Sequence, residues 1–303
     1  MASPSEGTSR RVLVTGLSGF TGRYVAAELQ SAGHSVFGLT RTQVAGATDH
    51  IDLLDTAALR DAVAQFQPHA VIHLAGVAFA AHGDIDAIYR TNIVGTRNLL
   101  AALAALPNKP DAVVLASSAH VYGNAPGGET RLDERAPLRP ANDYAVSKLA
   151  MEYMAHTWSE RLPLMLVRPF NYTGVGQDSR FLVPKIVDHF RRRERCIELG
   201  NLDVWREFMD VRAVAWAYRR LIETQGAGTF NICAGKAHSL REVLGMMADI
   251  AGYAIEVSVN PAFVRDNEIR HLEGDPRLLE SYIGPMPSYA LADTLRWMYQ
   301  ASD

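Results

Sequence analysis

Tyr144 and Lys148 are the residues whose types and spacing best suit acid–base chemistry. They lie in the segment Asn142-Asp-Tyr-Ala-Val-Ser-Lys148, and residues four apart on a helix share one face. An ammonium group beside a phenol favours release of the phenol proton. Tyr144 could therefore pass a proton to a carbonyl oxygen as a general acid while hydride arrives at the carbon. The pair predicts chemistry on a carbonyl group.

A glycine-rich turn near the start of the chain predicts a site for a nicotinamide dinucleotide. Gly16, Gly19 and Gly22 follow a strand-like run and open a helical pattern, which is the context such a motif requires. Gly16 allows a tight turn, Gly19 lets the backbone approach a pyrophosphate, and Gly22 allows close packing of helix and strand. The unpaired N–H groups at the helix start suit phosphate. Further cofactor contacts are expected from Ser18, Phe20, Thr21, Asp52, Leu53, Leu74, Ala75 and Gly76.

The end of the second strand bears on the choice between NADP(H) and NAD(H). The segment Gly38-Leu-Thr-Arg41-Thr42 has no carboxylate that could bind a ribose 2′-hydroxyl, and it has one guanidinium that could accept a 2′-phosphate. NADP(H) is therefore favoured and NAD(H) remains an alternative. Arg41 could instead be a solvated loop cation.

The elements that must position these groups alternate between strands and helices. Short apolar strands separated by helices are typical of a parallel sheet covered on both faces, so we expect an α/β, doubly wound, Rossmann-like fold. The expected strands are Arg11–Thr15, Ser35–Leu39, Ala70–Leu74, Ala112–Ser117 and Leu164–Arg168. The expected helices are Gly22–Ala32, Leu54–Phe66, Ile85–Leu106, Asp143–Arg161, Phe181–Glu194 and Ser239–Ala251.

The regular alternation of strands and helices becomes weaker after about Asn171, which predicts a second, smaller domain. We expect residues 11–173 to bind the dinucleotide, with 204–233 returning to that domain, and residues 174–303 to bind the substrate. The cleft between two such domains is the usual ligand site.

A further motif, Ser117-Ser118-Ala119-His120-Val-Tyr-Gly, closes the fourth strand. The order of glycine turn, Ser-Ser-x-x-Val-Tyr-Gly and Tyr-x-x-x-Lys resembles the extended short-chain dehydrogenase family that modifies nucleotide sugars, from about Val12 to Trp297. The resemblance implies that Ser118 bonds the reacting carbonyl, with Tyr144 and Lys148 as its catalytic partners. It also implies cofactor contacts or ordering roles for Asn92, Ser117, Tyr144, Lys148 and Pro169.

Three later segments resemble sugar-nucleotide binding elements of that family. They imply substrate contacts by Asn171, Arg206, Arg265 and Glu268, in addition to Ser118, His120 and Tyr144. Two arginines suit a diphosphate because guanidinium makes paired, charge-assisted hydrogen bonds to its oxygens. His120 either touches the substrate near the ketone or is a neutral packing residue.

The resemblance also restricts the reactions that the chain could catalyse. Family dehydratases carry an Asp-Glu pair where this chain has Ala119-His120, and the double epimerases use a cysteine and a histidine that are absent at the matching places. What remains is carbonyl reduction, and the pattern is most similar to the GDP-4-keto-6-deoxy-D-mannose reductase branch, which forms GDP-D-rhamnose. A reductase forming 6-deoxytalose (GDP- or dTDP-linked), a 4-epimerase and a non-catalytic dinucleotide-binding regulator remain alternatives.

Composition restricts the partners and the location. The net charge of -3 argues against nucleic acid, and no apolar run approaches the roughly 20 residues that span a membrane. Two cysteines form neither a disulfide framework nor a metal motif, and the His69-x-x-x-His73 spacing lies at a strand rather than on a helix, so no metal is expected. These features indicate a cytoplasmic protein without a nucleic-acid or membrane partner, and the resemblance implies a nucleotide-sugar substrate. The two long helices Ile85–Leu106 and Asp143–Arg161 are candidates for a homodimer interface.

Overall fold

A seven-stranded sheet organises the first part of the fold in a computed structural model, which describes residues 9–40, 49–77, 84–124, 131–263 and 269–301. Across the sheet the strands are β11 (Gly228–Ile232), β6 (Leu164–Pro169), β5 (Ala112–Ala116), β4 (Ala70–His73), β1 (Arg11–Thr15), β2 (Ser35–Thr40) and β3 (Asp49–His50). The strands β1, β2, β3, β4, β5 and β6 pair in parallel. From β1 the sheet continues through β2 to β3 on one side and through β4, β5 and β6 to β11 on the other. The neighbouring strands β1 and β4 therefore form the switch point where open α/β sheets bind ligands. The predicted doubly wound α/β fold is confirmed.

Helices alternate with these strands along the chain. They are α1 (Phe20–Ser31), α2 (Thr56–Phe66), α3 (Ile85–Tyr89), α4 (Thr96–Ala104), α5 (Asp143–His156) and α7 (Val211–Thr224). The apolar sides of α2, α4 and α5 pack on the sheet in one core cluster that includes Leu13, Val71, Val113, Leu103 and Met151. The strands are buried on both faces, which explains their nearly continuous apolar sequences.

The predicted single helix Ile85–Leu106 is divided in the structure. A π-helical turn, Arg90–Gly95, separates α3 from α4. Such a turn inserts one residue into the helical ladder and is frequent at functional sites. The apolar periodicity of the segment could not reveal it, because the turn keeps the helix axis continuous. The predicted helix Asp143–Arg161 ends earlier, at His156.

The second part of the fold has small sheets and four helices within the described ranges. The strand β7 (Tyr172–Thr173) pairs with β10 (Met209–Asp210), β8 (Cys196–Leu199) pairs with β13 (Glu256–Val259), and β9 (Trp205–Arg206) lies between β12 (His238–Ser239) and β14 (His271–Leu272). The helices are α6 (Leu182–Arg191), α8 (Leu240–Ala251), α9 (Arg277–Ile283) and α10 (Leu291–Gln300). Their core includes Ile186, Phe190, Leu199, Met247 and Leu295.

The chain divides into two compact units. Unit 1 contains the described residues up to Ser117 together with Asn142–Val167 and Ala215–Phe230; unit 2 contains Ser118–Ala141, Arg168–Val214 and the described residues from Asn231 onward. The segment Ser118–Ala141 groups with unit 2 because the Leu132 N–H donates to the Glu273 carbonyl (2.8 Å) and the Leu132 carbonyl accepts from Asp275 (2.9 Å). A sequence pattern cannot show such distant backbone pairing. The division into a dinucleotide domain, 11–173, and a substrate domain, 174–303, stays a prediction.

Within the described residues, no helix combines the length and the apolar character that crossing a membrane requires.

Candidate active site

The turn between β1 and α1 needs glycine at two positions. Gly16 has φ +72, and a Cβ there would lie 2.8 Å from the Ala75 nitrogen. A Cβ on Gly22 would lie 2.6 Å from the Leu17 carbonyl oxygen. Gly16 therefore lets the turn pass close to the segment after β4, and Gly22 lets α1 start directly on the turn. These close approaches are the packing that a dinucleotide-binding turn requires.

The start of α1 fits the phosphates of a dinucleotide. The N-cap is Gly19, which has no side chain that could cap the helix as a serine or aspartate would. Phe20, Thr21 and Gly22 form the first turn of the helix, and Ser18 lies in the turn before it. The N-terminal dipole and the N–H groups of such a turn suit an anion.

A buried hydrogen-bonded chain joins β1, β4 and α4 beside this turn. His73 Nδ1 lies 2.6 Å from Thr15 Oγ1, and His73 Nε2 lies 2.8 Å from Thr96 Oγ1. Burial, with a smaller effect of Lys148, lowers the pKa of His73 to about 3. The imidazole is therefore neutral and fixes the strand ends.

Among the described residues, no group of three His, Cys, Asp or Glu side chains could hold a metal ion.

Asn92 connects the segment after β4 to α5. It lies in the π-helical turn and is 1 % exposed, and its Oδ1 accepts from the Val77 N–H (2.8 Å). Its Nδ2 donates to the Val77 carbonyl (3.2 Å) and to Ser147 Oγ (2.9 Å). Because Ser147 in turn donates to the Tyr144 carbonyl (2.7 Å), Asn92 orders the first turn of α5. The role of Asn92 in the site stays a prediction.

Tyr144 and Lys148 lie one helical turn apart on α5. Asn142 caps this helix, since its Oδ1 accepts from the Ala145 N–H (2.9 Å). The Lys148 ammonium lies 6.0 Å from the centre of the Tyr144 ring. Tyr144 is partly buried, whereas Lys148 is 6 % exposed. The phenol therefore sits beside a cation that the surrounding structure holds in place.

The Lys148 ammonium is anchored at the end of β5. It donates to the Ala116 carbonyl at 2.8 Å. Burial lowers the pKa of Lys148 to about 8, and the nearby charge of Glu152 opposes that effect. Near neutral pH the group keeps its proton. A Cβ on Gly76 would lie 3.1 Å from this nitrogen and 3.0 Å from Asn92 Oδ1, so glycine keeps space open at the ammonium.

Ser117 is held by a neighbour that the sequence analysis did not identify. Its Oγ donates to a carboxylate oxygen of Glu152, which is 3 % exposed and lies on α5. The spacing Lys148-x-x-x-Glu152 was the available signal, because it places both side chains on one helix face.

Ser118 and His120 lie in unit 2, at a short 3₁₀ turn over Ala119–Tyr122. Ser118 caps the turn, and its Oγ accepts from the His120 N–H at 3.2 Å. Ser118 is 6 % exposed and His120 is partly buried. The turn thus fixes the Ser118 hydroxyl and leaves its proton available for a further acceptor. The catalytic role of Ser118 and the role of His120 stay predictions.

The other substrate residues differ in their surroundings. Within the described residues, Asn171 Oδ1 is a buried side-chain oxygen without a hydrogen-bond partner. Such an unsatisfied acceptor carries an energetic cost that a ligand donor would remove. Pro169 ends β6 and is buried.

Arg206 contacts its own protein. Its guanidinium donates to the Trp205 carbonyl (2.8 Å), to the Arg270 carbonyl (3.3 Å) and to the Ile269 carbonyl. These bonds hold β9 against the segment leading into β14. Diphosphate binding by Arg206 stays a prediction.

Asp52 and Leu53 follow β3. Asp52 is exposed and caps a turn by accepting from the Leu54 N–H (2.9 Å), while Leu53 is buried beneath Gly95. Arg41, Arg265 and Glu268, which were assigned to the cofactor and the substrate, lie outside the described residues.

A second buried carboxylate was also not identified from the sequence. Glu207 has no solvent exposure and accepts from the Gly274 N–H (2.6 Å) and from the Ala234 N–H. Burial raises the pKa of Glu207 to about 7. It joins three loops of unit 2. Its position directly after Arg206 carried no signal of burial.

Taken by itself, unit 1 offers an anion-binding helix start, a glycine-lined space and a phenol beside a buried ammonium. That set can bind a dinucleotide and move a proton at the Tyr144 hydroxyl.

Comparisons with known proteins extend this description. The profile of the NAD dependent epimerase/dehydratase family matches residues 12–233. The chain is 34% identical to the GDP-6-deoxy-D-mannose reductase of Pseudomonas aeruginosa (95% of both chains) and 33% identical to the GDP-6-deoxy-D-talose 4-dehydrogenase of Aggregatibacter actinomycetemcomitans (90% of this chain, 91% of that one).

Solved structures of similar proteins support the same family assignment. A putative epimerase from Burkholderia cenocepacia J2315 superposes with a TM-score of 0.90 at 51% identity, covering 97% of this chain and 98% of that one. RMD from Pseudomonas aeruginosa, complexed with NADPH, superposes with a TM-score of 0.85 at 32% identity, covering 96% and 98%. The chain belongs to the NAD dependent epimerase/dehydratase family, the nucleotide-sugar branch of the extended short-chain dehydrogenases.

Proposed function

We propose that the chain reduces the 4-keto group of a nucleotide-linked 4-keto-6-deoxyhexose, with GDP-4-keto-6-deoxy-D-mannose as substrate and GDP-D-rhamnose as product. The relative named GDP-6-deoxy-D-mannose reductase supports the substrate class, since it aligns over 95% of this chain. The absence of the dehydratase Asp-Glu pair, replaced by Ala119-His120, supports reduction over elimination.

The observation that carries the proposal is the Tyr144–Lys148 pair. The Lys148 ammonium is buried, bound to the Ala116 carbonyl and 6.0 Å from the Tyr144 ring. At neutral pH it therefore presents a positive charge to a partly exposed phenol. A fixed charge in a site of low dielectric acts more strongly on a developing oxyanion than a charge in water does.

Each residue has one proposed task. The bound nicotinamide supplies the hydride. Tyr144 donates its proton to the oxygen of the ketone, and Lys148 stabilises the phenolate that remains. Ser118 donates a hydrogen bond to the same oxygen, and Asn92 keeps the first turn of α5 in place through Ser147 and the Tyr144 carbonyl.

We also propose NADPH as the preferred reductant. The described end of β2, Leu39-Thr40, carries no carboxylate for a ribose 2′-hydroxyl, and Arg41 follows it in the sequence. RMD from Pseudomonas aeruginosa, solved with NADPH, supports this choice. The test is the ratio of kcat/KM for NADPH and NADH, which we expect to fall toward unity in Arg41→Ala.

The remaining substrate contacts are proposed for Asn171, His120, Arg206, Arg265 and Glu268. The buried, unpaired Oδ1 of Asn171 supports a contact with a sugar hydroxyl, which would donate to it. Asn171→Ala should raise KM by about tenfold, the equivalent of one net hydrogen bond.

The direct test is a product assay with purified protein. We expect NADPH oxidation on adding GDP-4-keto-6-deoxy-D-mannose, and a product whose C4 configuration, determined by NMR, is that of D-rhamnose. Turnover with a dTDP-linked ketosugar alone would reassign the nucleotide. A 6-deoxytalose product would reassign the face of the ketone that receives hydride, in agreement with the Aggregatibacter relative.

A sugar-nucleotide 4-epimerase is the second candidate. The putative epimerase from Burkholderia cenocepacia favours it, at 51% identity. An epimerase returns the hydride to its substrate, so it would be purified with bound NAD and would act without added cofactor. A reductase would consume one NADPH for each product molecule.

A homodimer is proposed through the helices α3 and α5 and the π-helical turn. This part of unit 1 exposes apolar side chains at Ile85 (45%), Val94 (43%), Val146 (38%) and Tyr153 (65%). Adjacent exposed apolar side chains are typical of interaction surfaces. Sedimentation should show a dimer that Tyr153→Glu disrupts, whereas Leu278→Glu, at an exposed apolar site (46%) on α9, leaves it intact. A monomeric wild type would exclude the dimer.

A further inference from the structure

The end of β5 and the helix α5 are joined by two hydrogen bonds of opposite polarity. The Ala116 carbonyl accepts from the Lys148 ammonium at 2.8 Å, and the hydroxyl of the next residue, Ser117, donates to the carboxylate of Glu152. Lys148 and Glu152 are four residues apart on one helix. Two consecutive residues of the strand end thus meet two consecutive turns of the helix.

Glu152 is an unusual residue for this position. It is 3 % exposed, and a buried carboxylate is costly unless hydrogen bonds and an opposite charge compensate for it. The hydrogen bond from Ser117 supplies part of that compensation. A nearby ammonium on the same helix face supplies a charge of opposite sign.

We propose that Glu152 is a positioning residue that acts through Lys148. Its carboxylate, oriented by Ser117, keeps the Lys148 ammonium protonated beside Tyr144 in a buried environment. The consequence for turnover rests on the proposed function of the Tyr144–Lys148 pair, whereas the coupling of the two charges does not depend on any substrate.

The other groups near Lys148 are less suited than Glu152 to keep the ammonium protonated. On α5 the titratable neighbours are Tyr144 and Glu152 themselves. Across from the helix, Asn92 and Gly76 are uncharged, and the end of β5 contributes the Ala116 carbonyl and the Ser117 hydroxyl. His73 on β4 is neutral because burial lowers its pKa to about 3, so it does not titrate together with Lys148. Burial lowers the pKa of Lys148 and the Glu152 charge raises it.

The first test titrates Lys148 directly, without substrate. The chain has four lysines, at positions 109, 148, 185 and 236, so protein labelled with ¹³C at lysine Cε gives four NMR signals. Lys148→Met identifies the signal of Lys148. We expect its midpoint near pH 8 in the wild type, and a midpoint lower by about one pH unit in Glu152→Gln, which keeps the shape and removes the charge.

Two further variants control this titration. Glu160→Gln makes the same chemical change at an exposed glutamate beyond the end of α5, and it should leave the midpoint unchanged. Glu152→Met removes the charge with an apolar group of similar length, so it replaces the amide variant if that one does not fold. A midpoint that Glu152→Gln and Glu152→Met leave unchanged would overturn the proposal.

The second readout is the pH dependence of kcat/KM for ketosugar reduction. Its alkaline limb should move to lower pH in Glu152→Gln by the same amount as the NMR midpoint, and Glu152→Asp should restore part of the shift. If the NMR midpoint moves but the wild type reduces no ketosugar, the proposed function fails and the coupling stands. If the alkaline limb stays in place while the wild type is active, Glu152 has no positioning role.

Discussion

Tyr144 and Tyr122 both lie beside a cation, and their surroundings give them different properties. Tyr144 in unit 1 is partly exposed, with the Lys148 ammonium 6.0 Å from its ring centre. Tyr122 in unit 2 has no exposure; it accepts from Arg168 (3.0 Å) and donates to Asn231 Oδ1 (2.7 Å). Burial raises the pKa of Tyr122 to about 12 despite the arginine. A neighbouring cation is therefore not sufficient for acid–base work, because the phenol proton must also be accessible.

The Tyr122 hydroxyl is one member of a set of hydrogen bonds within unit 2. Arg168 also donates to the Glu134 carbonyl (3.2 Å), and Asn231 donates through Nδ2 to the Leu132 carbonyl (2.9 Å). The Glu134 carboxylate accepts from the Asn231 N–H (2.7 Å). Each group has its partner inside unit 2, so this network stabilises the unit. The comparison predicts loss of activity at Tyr144 and loss of stability at Tyr122.

The largest expected effect is that of Tyr144→Phe. Removing the hydroxyl removes the proton donor, so kcat/KM for ketosugar reduction should fall by about a thousandfold, the scale of one general acid. The melting temperature should stay near that of the wild type. The matched control is Tyr289→Phe, at an exposed site (41%) outside the proposed dimer surface. Equal activity in the two variants would exclude Tyr144 as the acid.

Tyr122→Phe should show the opposite pattern. The change leaves Asn231 Oδ1 and the Arg168 guanidinium, both buried, without one partner each, at a cost of about 1–3 kcal/mol in the free energy of unfolding. Urea unfolding measures this loss, with Tyr289→Phe again as control. The folded fraction should keep its kcat within a factor of about two, since a residue outside the chemistry shifts the folded population rather than the rate. A large fall in kcat at full stability would give Tyr122 a chemical role.

The burial of Lys148 predicts that removing its charge together with that of Glu152 stabilises the fold. The fall in the pKa of Lys148 from 10.5 to about 8 means that burying the ammonium at neutral pH costs roughly 3 kcal/mol. Lys148→Met alone would leave the buried Glu152 carboxylate without its charge partner, so the test uses Lys148→Met/Glu152→Met, which removes both charges and also loses the bond to the Ala116 carbonyl. We expect a net gain of about 1 kcal/mol at pH 7 for this double variant, together with loss of activity.

This gain should depend on pH. The unfolded chain keeps the Lys148 proton up to pH 10.5 and the folded chain loses it above about 8, so the wild type becomes relatively more stable across that window. The advantage of Lys148→Met/Glu152→Met in urea unfolding should therefore shrink between pH 8 and pH 10.5. Lys109→Met, at an exposed site, should show no such trend. A destabilised double variant at pH 7 would contradict this explanation.

The smallest effect is the pH dependence of the wild-type rate. Because the ammonium form of Lys148 supports the Tyr144 phenolate, kcat/KM should be constant below pH 8 and should fall above it as Lys148 loses its proton. A rate profile that stays flat to pH 9.5 would show that the charge of Lys148 does not contribute.

The sequence could predict what depends on local pattern. Five of the seven sheet strands, the glycine turn and the placement of Tyr144 and Lys148 on one helix follow from apolar runs and spacing, which local conformation preserves. The strands β3 and β11 were not predicted, nor was the π-helical turn that carries Asn92, because the segment Ile85–Leu106 was interpreted as one continuous helix.

The environment of each site residue depends on distant partners. Arg206 is a cation in a binding motif, yet its guanidinium bonds the backbone near Ile269, 63 residues away. Ser117 and Glu152 are 35 residues apart and meet at the strand end. Neither contact produces a periodic pattern in the sequence. The burial and the hydrogen-bond partners of these side chains are therefore known only from the structure.

The central claim is that hydride moves from the dinucleotide to C4 of a ketosugar while Tyr144 supplies the proton. The most direct test incubates wild-type protein and Tyr144→Phe with [4,4-²H₂]NADPH and GDP-4-keto-6-deoxy-D-mannose and follows deuterium at the sugar C4 by NMR. The account predicts label at C4 in the wild-type product, and transfer about a thousandfold slower in Tyr144→Phe, which still binds the dinucleotide. A product without deuterium at C4, or transfer at the same rate in Tyr144→Phe, would contradict it.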